Sequence, residues 1–142
     1  MLETSSRVHE LRLRVRYAET DQMRIVHHVR YIEWLETARV EYLRAAGFRY
    51  RDLEERGVFT SVISVSIQYR APAKYDDMVC VRTRVSLLKH FKIGFAYEIL
   101  TDDGALLAES EIILGSITRD GKPQPLPEDL LKALQAGSTM GA

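Results

Sequence analysis

A change of rhythm constrains this chain more than any other feature of it. From about Tyr31, the residues Ile32, Leu35, Ala38, Tyr42, Leu43 and Ala46 recur at steps of three and four, interrupted by Arg39. That is the period of a helix with one apolar stripe. On either side the period falls to two. Leu11, Leu13, Val15 and Tyr17 alternate with Arg12, Arg14 and Arg16, which predicts a strand over 8–17 with Tyr17 at the end of its core face. Val79, Val81, Thr83, Val85 and Leu87 alternate with Cys80, Arg82, Arg84 and Ser86, and Phe91 to Ile99 repeats the pattern. A single long helix among several half-buried strands has one economical solution: its stripe packs on the face of a sheet.

Punctuation refines the order. Gly47 stands where a C′ glycine ends a helix, and YRDLEERG follows as a short helical turn. Val62 to Arg70 is a β-branched run halted by Pro72, and TDDG (Thr101–Gly104) separates the Phe91 run from Leu106–Ile117. Pro127 opens a last short helix, PEDLLKAL, with acids in its first turn. Strand, long helix, then four strands on short connections gives an α+β class with a five-stranded antiparallel sheet. Such a sheet has open edges, which favour edge-to-edge pairing into a homodimer at least.

Bulk composition excludes several functions. A length of 142 residues is one domain, 1–142. Twenty basic residues balance twenty acidic ones, so no global field draws the chain to nucleic acid or an anionic membrane. No window approaches the ~18 apolar residues of a membrane span, and MLETSSRVHELRLRVRY lacks the apolar block of a secretory signal. These features read as cytoplasmic. The lone Cys80 excludes an internal disulfide and a multi-cysteine zinc site. His27 and His28 are neighbours, which point about 100° apart on a helix, so no metal site is expected.

The segment YAETDQMRIVHHVRY, Tyr17 to Tyr31, joins the first strand to the long helix. Judged by spacing alone, Asp21 is a turn residue that folds back on its own backbone. The wider segment YAETDQMRIVHHVRYIEWLETAR resembles the 4-hydroxybenzoyl-CoA thioesterase family of hotdog-fold acyl-CoA thioesterases. The resemblance rests on Tyr17, Glu19, Thr20-Asp21, Ile25-Val26, His28, Tyr31 and Glu36 to Arg39, with IQYRAPAKYDD as a supporting match. It implies a hotdog fold, in which an antiparallel five-stranded sheet wraps around one long central helix. It also implies an acyl-CoA substrate, hydrolysed to a free acid and coenzyme A thiol.

Under that resemblance Asp21 is the catalytic carboxylate, as nucleophile or as general base. The backbone N–H near His28, in a helix start without a Ser, Thr, Asp or Asn cap, would polarise the carbonyl. Gln22 and Tyr31 are candidates for contacting the substrate, and Arg24 is a departure. Close relatives of the pattern carry glycine there, so Arg24 could narrow the acyl pocket, meet an acidic acyl group or face solvent. Glu19, Glu33 and Glu36 are competing acids, better read as solvated or ion-paired. Arg70, Lys74, Lys89, His90 and Lys92 gather at strand ends as candidates for the phosphates of coenzyme A, with Arg82 and Arg84 further along. Coenzyme A enters as substrate, and no separate cofactor is expected. Homodimer or homotetramer is the implied assembly. Two rivals remain: a non-catalytic domain binding acyl-CoA or acyl-carrier protein, and a hydratase or dehydratase acting on thioesters.

Overall fold

The computed structural model describes residues 1–136. Five strands form one antiparallel sheet in the order β1-β3-β4-β5-β2: β1 (His9–Arg14), β2 (Phe59–Tyr69), β3 (Met78–Leu88), β4 (Lys92–Thr101) and β5 (Leu106–Ile117). The long helix α1 (His28–Ala45) lies over β1 and β3. Two shorter helices, α2 (Tyr50–Glu55) and α3 (Glu128–Leu134), complete the fold.

The two periodicities meet in the core. Leu35, Ala38 and Tyr42 on α1 are fully buried against Val79, Val81 and Val85 of β3 and Phe95 and Ile99 of β4. The Tyr42 and Phe95 rings meet edge to face, with centroids 5.7 Å apart. α1 begins three residues before its apolar stripe does. It ends as Gly47 indicates: that residue takes φ 97°, Gly47 N–H bonds the Arg44 carbonyl at 3.0 Å, and Phe48 N–H bonds the Leu43 carbonyl at 2.9 Å. Both bonds are those of a Schellman cap.

Two expectations need correction. The first strand stops at Arg14, and residues Tyr17–Glu19 form a 3-10 turn that leaves Tyr17 67% exposed rather than in the core. Secondly, β2 is no hairpin partner of β3. It sits at the far edge beside β5, in register from Phe59 opposite Ile117 to Tyr69 opposite Ala108. Residues 70–77 therefore run across the end of the sheet as a strap from one edge region to the other. Pro72, which halts the strand pattern, lies in this strap.

β2 is the unprotected edge. α1 lies over β1 and β3, and Val62, Ile63 and Val65 of β2 remain about half exposed. The eleven-residue strand thus presents several apolar side chains beside one unpaired row of backbone groups.

Candidate active site

The loop between β1 and α1 is held by backbone pairing. Thr20 and Val26 form an antiparallel bridge, Asp21 N–H bonds the Ile25 carbonyl at 2.9 Å, and Arg24 N–H bonds the Asp21 carbonyl at 2.9 Å. The Asp21 carboxylate turns inward with one oxygen: Oδ1 accepts the amides of Met23 at 2.8 Å and Ile25 at 3.1 Å. Among the described residues Oδ2 accepts no hydrogen bond, and the side chain is exposed. The turn reading of Asp21 and an available carboxylate oxygen are therefore compatible.

Arg24 occupies the tip with φ 63°, the left-handed conformation that glycine adopts most readily. An arginine here makes the tight turn without the glycine. Its carbonyl accepts the Tyr75 amide at 2.8 Å, and its side chain is exposed, as is Gln22.

His28 is the first residue of α1, and its N-cap, His27, makes no side-chain capping bond. The first turn of a helix has amide hydrogens with no intrahelical carbonyl to meet. Asp21 stands opposite Ile25, three residues upstream of that turn. The pairing brings an anionic side chain and the positive end of the helix dipole onto one loop.

Below them lies an aromatic layer that joins the candidate Tyr31 to Tyr69, which the sequence pattern did not disclose. Tyr69, the last residue of β2, donates its hydroxyl to the His28 carbonyl at 3.0 Å, and its ring meets His28 edge to face with centroids 6.2 Å apart. Tyr31 is 2% exposed and stacks on Trp34 at 5.0 Å; its hydroxyl accepts the Ala73 amide at 3.0 Å. Burial raises the Tyr31 pKa despite the Ala73 bond that opposes it, and burial raises that of Tyr69, so both stay protonated. Ile25, Val26, His28, Tyr31, Tyr69 and Arg70 surround a shallow depression of about 320 Å³.

Glu19 is the second carboxylate of the loop and is spoken for. It is 4% exposed, and it accepts the Arg16 amide at 2.8 Å and the Trp34 indole N–H at 2.7 Å, with the Arg16 guanidinium 3.5 Å away. Burial would raise its pKa, but those bonds and the guanidinium outweigh burial and hold it below the usual glutamate value. Glu33 pairs with Arg30 at 3.0 Å on the surface of α1, and Glu36 is exposed further along.

The basic candidates separate into two groups. Arg70 and Lys74 belong to the strap beside the loop; Arg70 pairs with Glu109 at 2.9 Å. Lys89, His90 and Lys92 are exposed around the β3–β4 turn, at the opposite end of the sheet. One chain does not bring them to Asp21. Arg82 lies on the outer face between Glu10 and Glu98, at 3.4 and 3.6 Å. Among the described residues no group of His, Cys, Asp and Glu could hold a metal ion.

Residues 15–134 match the family described as the Thioesterase-like superfamily. The acyl-CoA thioester hydrolase YbgC of Escherichia coli is 30% identical over 120 residues, 84% of this chain and 90% of that one. Two solved structures share the architecture. A hypothetical protein of Thermus thermophilus is 41% identical with a TM-score of 0.83, covering 88% of this chain and 95% of that one. The DHNA-CoA thioesterase of Staphylococcus aureus is 32% identical with a TM-score of 0.81, covering 84% and 80%.

Proposed function

Since the chain belongs to the Thioesterase-like superfamily and is a hotdog-fold acyl-CoA thioesterase, we propose that it cuts its thioester with the Asp21 carboxylate, against the first turn of α1. In one route Asp21 Oδ2 adds to the carbonyl carbon, the C–S bond breaks, coenzyme A leaves as thiolate, and water hydrolyses the resulting mixed anhydride. In the other, Oδ2 takes a proton from a water that adds to the same carbon, the C–S bond of the tetrahedral intermediate breaks, and the departing coenzyme A thiolate takes up the proton. Both routes place negative charge on the carbonyl oxygen. The amide hydrogens around His28 are aimed to stabilise that charge without reorganising. Products are the free acid and the thiol.

The observation that supports this reading is the Asp21–Ile25 and Thr20–Val26 pairing, which closes the loop that leads into a helix start with no side-chain cap. Tyr69 and Tyr31 support the helix start from beneath, and Gln22, Arg24 and Arg70 stand around the loop as substrate contacts. Coenzyme A takes part as substrate, with no further cofactor. The reaction belongs in the cytoplasm; among the described residues no helix is long and apolar enough to cross a membrane.

The working unit in this reading is a dimer joined along β2. Two-fold pairing of an edge strand with its own copy is antiparallel. It brings the Phe59 end of one β2 beside the Tyr69 end of the other. Lys89, His90 and Lys92 then lie at the same end of the joined sheet as the partner's Asp21, where they can meet the nucleotide phosphates. Thiol release from a panel of acyl- and aroyl-CoA compounds tests the activity, with Asp21→Asn as the control. Full activity in that variant would end the proposed mechanism.

A further inference from the structure

One hydrogen bond ties the sheet to the start of α1 without passing through the loop before it. Tyr69, the last residue of β2, donates its hydroxyl to the His28 carbonyl at 3.0 Å. The donor is fixed from several sides. Its backbone is in register with Ala108 of β5, and the next amide, Arg70 N–H, bonds the Leu107 carbonyl at 2.8 Å. Its ring lies 5.2 Å from that of Tyr31, which is buried, stacked on Trp34 and held by the Ala73 amide. Burial holds the Tyr69 phenol above its usual pKa, so the hydroxyl keeps the proton it donates.

The acceptor is the more informative partner. The His28 carbonyl belongs to the peptide unit whose N–H is that of Val29. In a helix that oxygen gives one lone pair to the amide four residues on, which leaves the second for Tyr69. Among the described residues the amides of His28 and Val29 meet no backbone carbonyl, as the first turn of a helix requires. The N-cap, His27, adds no side-chain bond. A hydrogen bond accepted at a peptide oxygen polarises the unit and makes the N–H at its other end a better donor. That N–H points back along the helix axis, toward the end where the Asp21 loop joins it.

We infer that Tyr69 is a positioning residue for thioester cleavage: through the His28 carbonyl it aligns and polarises the Val29 amide, a second donor beside that of His28 for the oxygen on which negative charge builds. The inference rests on the thioesterase reading above and adds to it a named donor and the side chain that tunes it. Tyr69 acts through the peptide and needs no contact with the substrate.

The test compares the wild type with Tyr69→Phe and with a protein carrying 3-fluorotyrosine at that position, on whichever acyl-CoA of the panel the wild type cleaves fastest. Removing an oxyanion donor outright costs about 10²–10³ in kcat, and removing a bond that strengthens one costs less. Tyr69→Phe is expected to lower kcat about fivefold to tenfold and to melt within a few degrees of the wild type. Inhibition by an S-alkyl-CoA, a thioether that lacks the carbonyl, should stay within about twofold, because ground-state binding does not use the oxyanion donors. An unchanged kcat overturns the inference. So does an equal loss of kcat and of S-alkyl-CoA binding, which marks a bond that only holds the helix in place. Fluorine makes the phenol a stronger donor, so the fluorinated protein should match or exceed the wild-type kcat at pH 7. This protein keeps the hydrogen bond and folds even where Tyr69→Phe does not, and a kcat below the wild type's overturns the inference. A wild type that cleaves no acyl-CoA removes the catalytic reading and this inference together, whereas an active wild type equalled by Tyr69→Phe removes this inference alone.

Discussion

The carboxylate of Glu19 accepts the indole N–H of Trp34 at 2.7 Å, and both residues are buried. This bond ties the loop before α1 to the second turn of the helix itself. The residue two positions before Asp21 is therefore an anchor, and it fixes where the Asp21 turn begins.

Glu19→Gln is expected to destabilise the fold by about 2 kcal/mol at pH 7, the usual worth of a charge-assisted hydrogen bond whose partner stays buried. The sign with pH follows from the lowered pKa. The contribution is complete above the ordinary value of 4.5 and disappears as pH falls through the folded-state value. Urea unfolding of both proteins at pH 7 and across the range below pH 4.5 checks this. A gap that stays constant or widens on acidification contradicts it.

Asp21→Asn should separate chemistry from folding. An asparagine Oδ1 can still accept the Met23 and Ile25 amides, so the turn is retained while the charge is lost. The melting temperature should stay within a few degrees and kcat fall by about 10²–10⁴-fold. Steady-state thiol release together with a thermal melt reads both quantities.

Arg24→Gly should stabilise the protein by ~1 kcal/mol, because arginine carries the steric cost of φ 63° that glycine does not. Arg24→Val should do the reverse by at least as much, since a β-branched residue tolerates that region worst. Chemical denaturation of the two variants gives the order directly.

Val65→Lys should weaken self-association along β2, where a lysine opposes edge pairing and replaces a half-exposed apolar contact. Sedimentation across a concentration series is expected to show more monomer than the wild type. Thiol release should fall with it in proportion, since the proposed site spans two subunits.

The strands and the long helix were legible in the sequence because burial on one face writes a period into it. Leu106–Ile117 was read to the residue, and Gly47 marked the end of α1. What periodicity lacks is direction through space. Nothing in Val62 to Arg70 says that this run pairs with β5 rather than with the strand that follows it. For the same reason sequence gathers the basic residues into a single cluster, though Arg70 and Lys89 stand at opposite ends of the sheet. Glu19 looked like a loop acid because its partner, Trp34, reads as one more residue of the helix. Tyr69 was hidden by its place at the end of a strand, where an aromatic residue is ordinary. Asp21 and His28 were found by resemblance to a known motif, with spacing adding only that a turn precedes a helix.

The strap of residues 70–77 binds what the loop needs on both sides. Its Ala73 carbonyl takes the Val26 amide, the Ala73 amide meets Tyr31, and Tyr75 holds the Arg24 carbonyl. None of these contacts can form from the N-terminal third of the chain alone. A nascent polypeptide carrying the whole catalytic motif would still be inert until β2 had emerged and the chain had crossed to β3. Recovery of thiol release during refolding would consequently trail the formation of α1 and report the closing of long-range topology.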